Sequence, residues 1–532
     1  MTKLDFLDIG VIVIYMLAML GIGAYFMRRQ KSASEFLLAG RTVGWFAIGF
    51  SLLSSLNSAA DYVIGPAGNI QIGFLCLVGI IPTFLSFPLI FNKFIPFYQR
   101  LRLYNCYEYL EHRFDLRVRL TATFFFIVWR LLWMGMTIYL PAFVLHDIMG
   151  LPLFPSILVL GAITTLYTAL GGVRSVVWTD VVQAFVMLGG LLLATWIVIA
   201  KVDGGFAQVW AVSKESGFMR FTADIPEMAS ATSLWGKISA YFHKPVTFWG
   251  VIMGGLLWKW TNYGADHVMV QRYLSAKSLK DCKDGFVVNT IAYVVYSLLF
   301  LLLSMGLFVF FKVTPLEDAT KYEYVFPLFI DEYMPPVITG LVLAAIYSAA
   351  QSSVSAGVAA TTGTVFTDIY LRLFRGQVRV DEAVSEEIQR HHVAFSRTCA
   401  CIMGTLVTLV ACLISLLHAN DTLFGLFNKI IGGFGGLLIP VFLLGMFTRR
   451  TRSLGVCVGL VCGFVATYYW GFHTDLGFGW TSSVAFVVTS IVAYVVSLFE
   501  KAPPPEKLEY LWKNIMARPA PDEAAAQQSI AQ

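Results

Sequence analysis

Long apolar runs separated by short polar loops recur from residue 6 to residue 499. A hydrocarbon layer about 30 Å thick calls for roughly 20 predominantly apolar residues per helical crossing. Runs of that kind fall near 6–27, 43–70, 73–98, 118–148, 153–171, 176–200, 246–270, 285–311, 335–371, 394–417, 423–447, 453–472 and 478–499, which predicts thirteen transmembrane helices. The short alternating segments of a membrane β-barrel are not seen. Two of the runs are interrupted by small and polar residues, one at "SLLSSLNSAADYVIGPAGN" (51–69) and the other at "GGLLWKWTNYGADH" (254–267). Non-helical backbone at membrane depth is tolerated only where protein buries it or where it lines a wet cavity. The interruptions lie five spans apart, which predicts two inverted five-helix repeats, spans two to six and seven to eleven, whose broken first helices meet near the midplane. A Gly/Ser packing seam is the alternative explanation of the same residues.

The ninth run is apolar and yet rich in oxygen: "YSAAQSSVSAGVAATTGTVFTD" (347–368) holds four serines, four threonines and a glutamine. Ala349, Ser352 and Ser353 stand at i, i+3 and i+4 on one helix face, so two hydroxyls and a carbonyl can converge there. Sodium, a hard monovalent cation, can be held by neutral oxygens of this kind together with the end carbonyls of a broken helix. Span two offers such carbonyls near Ser54 and Asn57. The competing explanation is hydrogen bonding within the helix or to its neighbours, and it is preferred for Thr361, Thr362, Thr364 and Thr367. Charges also fall in or near the spans, at Asp61, Arg130, Asp180, Lys259 and Lys429. Each costs about 2.5–3.5 kcal/mol at a helix centre, so internal pairs or a polar pathway must receive them. Arg130 or Lys429 as partner of Asp61 or Asp180 is the structural option.

Composition agrees with a membrane protein, since 57% of the 532 residues are apolar and 13% are charged. The net charge of +5 sits largely in loops after the odd-numbered spans, such as "RRQK" (28–31), "RLR" (100–102) and "RRTR" (449–452). Basic loops stay cytoplasmic, so the expected topology has the N-terminus outside and the C-terminus inside, in a plasma (inner) membrane. No nucleic-acid partner is implied. The first span lacks a small-residue cleavage site and is expected to be retained. The eight cysteines lie in spans or inner loops, which argues against a disulfide framework. There is no Gly-rich phosphate loop, no nucleophile–base pairing and no histidine ligand spacing, so an enzyme is the least favoured class.

Five blocks carry a family resemblance: "SEFLLAGRTVGWFAIGFSLLSSLNSA" (34–59), "LGGVRSVVWTDVVQ" (170–183), "YGADHVMVQRYLSAKS" (263–278), "SAAQSSVSAGVAATTGTVFTDIY" (348–370) and "GGLLIPVFLLGMFTRR" (435–450). In this order they resemble the sodium/solute symporter family, whose members carry sugars, proline, iodide, pantothenate, monocarboxylates and sialic acid with sodium. The resemblance runs from about residue 8 to 500. It implies an all-α, LeuT-type five-plus-five repeat with one leading and two trailing helices. The corresponding divisions are 1–42 for the leading helix and inner loop, 43–204 and 246–450 for the repeats, and 205–245 for an outer loop. The two peripheral helices occupy 451–500 and the tail 501–532.

The resemblance also implies site residues. A first sodium would take the carbonyls of Ser54, Asn57 and Ala349 and the hydroxyls of Ser352 and Ser353. A second sodium, held in some members, would fall to Asp180, Ser352 and Ser355, but Ala356 stands where those members carry another hydroxyl. The substrate positions match Ser58, Asp61, Arg130, Lys259, Asn262 and Asn428. Arg130 offers a planar fork for a carboxylate, and Asp61 suits an amine or sugar hydroxyls. The expected function is sodium-coupled symport of a small carboxylate-bearing or zwitterionic solute by alternating access, with sodium as coupling ion and no other cofactor. A sodium/sugar symporter is the alternative, and a sodium-permeable channel or a transporter-like sensor is less favoured.

Overall fold

A computed structural model of the chain describes residues 5–28, 30–221, 225–244, 246–313, 324–377, 380, 384–417, 434–474 and 477–518. Among them there are helices and a single isolated bridge between Val43 and Ala276, with no extended strand. The leading helix α1 (Phe6–Met27) is capped by Asp5, which exchanges hydrogen bonds with Asp8 in a capping box. Asp8 does more than cap, because its Oδ1 also accepts from the backbone N–H groups of Val337 and Gly340, both at 2.8 Å. The start of a distant helix thereby has orphan donors satisfied by a carboxylate at its positive end.

The second predicted span is a broken helix. Trp45–Leu56 (α2) stops where Asn57 and Ser58 become extended, and Ala59–Val63 (α3) resumes the path. Leu75–Leu101 (α4) and Leu116–Met149 (α5) follow. Spans five and six meet at Gly172, whose φ of 56° and ψ of −165° leave the helical path, so Leu153–Ala200 (α6) is two helices joined at a sharp kink that a residue with a Cβ rarely adopts. The seventh span is broken like the second: Phe248–Gly264 (α7) gives way at Ala265 and Asp266 to His267–Ser275 (α8). Leu279–Val313 (α9), Ile338–Thr364 (α10), Glu386–Leu417 (α11), Ser453–His473 (α12) and Phe478–Leu498 (α13) complete the set.

By length and hydropathy, 9 helices among the described residues can cross a membrane. The difference from thirteen has physical sources. The two broken helices are too short as separate pieces, α6 joins two predicted spans, and most of the run 423–447 lies outside the described residues.

Helix α10 is the centre of the bundle. It packs along α6 and also touches α1, α2, α5 and α11, and every residue from Val342 to Thr364 is buried. Gly190 of α6 allows the closest approach, because a Cβ there would collide with the Cβ of Ala345. An oxygen-rich helix thus lies where water is excluded, and its hydroxyls must find partners within the protein. Thr361, Thr364 and Thr367 bond back to the carbonyls of Gly357, Ala360 and Gly363 at 2.8–3.0 Å, as expected for helix packing.

Candidate functional site

At the break between α2 and α3 the helix ends without a following turn to absorb its last carbonyls. Asn57 secures the end by donating from Nδ2 to the Leu53 carbonyl at 2.7 Å. Ser58 starts α3 as its N-cap, and the Asp61 carboxylate accepts from the Ser58 N–H at 2.8 Å. The remaining carbonyls are met from α10. Ser352 Oγ donates to the Ser54 carbonyl at 2.9 Å and approaches the Ala349 carbonyl at 3.2 Å. Ser353 Oγ donates to the Asn57 carbonyl at 3.0 Å. All five residues matched to the first sodium position are therefore buried along the contact of α10 with the first break.

The donor set there consists of three carbonyls and two hydroxyls, without a formal charge. Each hydroxyl has lone pairs as well as a proton, so rotation about its C–O bond would turn two donors into two ligands. Neutral oxygens in this number suit a monovalent hard cation better than a divalent one, which draws carboxylates.

Beside this point lies a cavity of about 390 Å³ between the first break and α7. Its polar wall includes Asn57, Ser58, Asp61, Asn69 and Lys259, and its apolar wall includes Trp133, Trp258 and Tyr293. Lys259 Nζ sits 3.4 Å from the centroid of the Tyr293 ring, and among the described residues no carboxylate is at salt-bridge distance from it. Asp61 has one oxygen engaged by the Ser58 N–H and, at 3.5 Å, by the Tyr296 hydroxyl.

The other matched positions lie elsewhere. Arg130 does not line the cavity: its guanidinium pairs with Asp266, with Nε 3.3 Å from Oδ1, and lies over the Trp129 ring. The carboxylate expected from a solute is supplied there by the chain itself. Asn262 does not line the cavity either and donates to the carbonyl of Trp258 in its own helix at 2.8 Å. Asn428 and Lys429 lie outside the described residues.

Asp180 accepts from Ser51 at 2.5 Å, from Ser55 at 3.0 Å and from Arg272 Nη2 at 3.1 Å. Ser355, its expected co-ligand, donates to the Ser352 carbonyl at 3.2 Å. The sequence suggests Arg130 or Lys429 as partner of Asp61 or Asp180, whereas Arg130 pairs with Asp266 and Asp180 with Arg272. Both missed partners stand in "YGADHVMVQRYL". The signal was present as an acid and a base six residues apart around an interrupted span, but Arg272 lay just beyond the predicted run.

Comparison with known proteins decides the family. The description "sodium:solute symporter family" matches residues 36–463. The chain belongs to this family. The sodium/sialic acid symporter of Proteus mirabilis is 28% identical over 475 residues, covering 89% of this chain and 91% of that protein. The human sodium/iodide cotransporter is 31% identical over 476 residues, covering 86% and 68%. A solved structure of a sodium-coupled sialic acid symporter, substrate-bound and outward-open, shares the fold at a TM-score of 0.81 and 27% identity, covering 94% of this chain and 99% of that one. The nucleobase-cation-symport-1 transporter Mhp1 shares it more distantly, at 0.52 and 14% identity, with 90% and 98% covered. The protein is an integral membrane, sodium-coupled symporter of the LeuT fold.

Proposed function

We propose that the protein couples one sodium, held at the first helix break, to the movement of a small carboxylate-bearing or zwitterionic solute. The observation that carries the reading is the meeting of Ser352 and Ser353 with the carbonyls of Ser54 and Asn57. In the proposed cycle the two serine hydroxyls turn their protons away, and sodium takes their place as the partner of these carbonyls, tying α10 to the broken helix. The repeats 43–204 and 246–450 are the units that rock, with the basic loops on the cytoplasmic side. Asn57 belongs to both the ion point and the cavity wall, so an occupied ion point stiffens the wall that meets the solute. Linkage makes this mutual: solute raises sodium affinity by the same factor.

Lys259 is the proposed anion partner of the solute, because it is the cavity's basic side chain while Arg130 is engaged by Asp266. Ser58 and the second oxygen of Asp61 are the proposed contacts for a hydroxyl or an amine. A second sodium at Asp180 would compete with Arg272 for the same carboxylate. The sialic acid carriers among the relatives support an acidic solute.

The test is a thermal-shift screen of purified protein against sialic acids, monocarboxylates, amino acids and neutral sugars, each in sodium and in potassium. Stabilisation by an acidic solute in sodium alone is the expected result. Stabilisation confined to neutral sugars would overturn the role of Lys259, and stabilisation equal in potassium would overturn the sodium point.

A further inference from the structure

Helix α1 lies in neither of the proposed repeats, yet it grips α10 at two points. Asp8 accepts from the N–H groups at the start of α10. Further along, the Tyr15 hydroxyl donates to Gln351 Oε1 at 2.8 Å. Gln351 is the residue before Ser352, whose hydroxyl meets the Ser54 carbonyl at the first break.

Helix α6 completes the second grip from both sides of its kink. Tyr167 donates from its hydroxyl to the backbone carbonyl of Gln351 at 3.2 Å. Gln183 donates from Nε2 to the hydroxyls of Tyr15 and Tyr167, at 3.3 and 3.4 Å, and its backbone carbonyl accepts from Ser348 of α10 at 3.1 Å. Tyr15, Tyr167, Gln183, Ser348 and Gln351 are all buried.

Packing alone does not call for this chemistry. Apolar side chains of like volume would fill the same seam without burying hydroxyls and amides, and such a replacement is often neutral or stabilising. The network is also incompletely satisfied, since Gln183 Oε1 and Gln351 Nε2 have no hydrogen-bond partner among the described residues. With Nε2 unengaged, the contact with Tyr15 is what orients the Gln351 side chain.

What these contacts fix is the rotation of α10 about its axis. Ser348 and Gln351 stand on one side of the helix, and Ala349, Ser352 and Ser353 on the adjoining side. A side-chain atom at the rim of a helix lies about 5 Å from the axis, so a turn of about 10° carries it by about 1 Å. A binding constellation tolerates about 0.5 Å. We infer that Tyr15 and Gln351 are positioning residues for the ion point: through them the leading helix sets the rotation at which Ser352 and Ser353 face the first break. This role rests on the sodium point proposed above.

The probe is sodium itself, titrated against potassium at constant ionic strength into the purified full chain, with the unfolding midpoint as readout. Half-saturating sodium reports the ion point, and the midpoint in potassium alone reports the fold. Tyr15→Phe, which keeps the ring, and Gln351→Met each raise half-saturating sodium about fivefold. The double variant raises it no further than the larger single change, because both remove the same contact. Thr361→Val, which removes a hydroxyl bonded within α10 itself, leaves it unchanged. Where Tyr15→Phe fails to fold, Gln351→Met alone decides. A lower midpoint in potassium with unmoved half-saturation would reduce the network to packing and overturn the proposal, as would additive effects in the double variant. Ser352→Ala with Ser353→Ala separates the two readings. If that variant keeps the full sodium response, the ion point and its positioning fall together; if it loses the response while Tyr15→Phe and Gln351→Met keep theirs, only the positioning role falls.

Discussion

The two helix breaks are built from the same device and closed in opposite ways. At the second, the free carbonyls of Gly264 and Ala265 accept from the hydroxyls of Tyr98 and Tyr107. Asp266 caps α8 through the Val268 N–H at 2.9 Å and is in turn held by Arg130. Rigid aromatic stems and a buried ion pair fill that break. At the first, among the described residues, the carbonyls of Ser54 and Asn57 are met by short serine side chains from α10. A tyrosine oxygen at the end of a packed ring cannot shift without moving the ring. A serine oxygen shifts with one side-chain torsion. The difference separates a break that holds the scaffold from the one proposed to turn its hydroxyls toward a cation.

That contrast can be broken experimentally. The largest effect is expected at the ion pair: Arg130→Gln or Asp266→Asn leaves a buried charge unpaired and should cost about 3–5 kcal/mol of stability, read as a fall in the unfolding midpoint of the purified protein. The double variant should recover part of that loss. If either single change instead left stability intact and abolished solute binding, Arg130 would belong to the solute after all. Next comes the serine pair. Ser352→Ala with Ser353→Ala should raise the sodium concentration for half-maximal uptake in proteoliposomes about 100-fold, with folded protein retained. Undiminished sodium stimulation would remove the first break from the coupling mechanism.

Lys259→Gln should weaken solute binding about tenfold while uptake stays sodium-dependent, measured as a rise in KM at saturating sodium. The smallest effect belongs to Tyr107→Phe, which removes one hydroxyl from the second break. It should cost about 1 kcal/mol of stability and leave sodium activation unchanged. A shift in sodium activation there would mean that the two breaks are not independent.

Much of this arrangement is legible in the chain. Apolar runs locate the bundle because the bilayer imposes a length on each crossing, and small polar residues inside two of those runs mark both interruptions. The pairing of charges was less legible. Arg130 and Asp266 are 136 positions apart and Arg272 and Asp180 are 92 apart, and no local rule connects such residues. Asn262 had the right residue type in the right helix, yet its amide turns back to Trp258, a choice between self-bonding and cavity that helix periodicity does not resolve.

The sequence by itself determined an all-helical membrane protein with two interrupted helices, an oxygen-rich face at Ala349, Ser352 and Ser353, and membership of a sodium-coupled family. The helices, their interruptions and the oxygen-rich face follow from local chemistry, hydropathy and helical spacing, and the family from the resemblance of five sequence blocks. Only the tertiary structure decided which charges neutralise each other and which stay in the cavity. A buried charge takes whatever partner the packing of distant helices brings within reach. Here that packing gave Arg130 to Asp266 and Asp180 to Arg272, and placed Lys259 and Asp61 on the wall of the cavity.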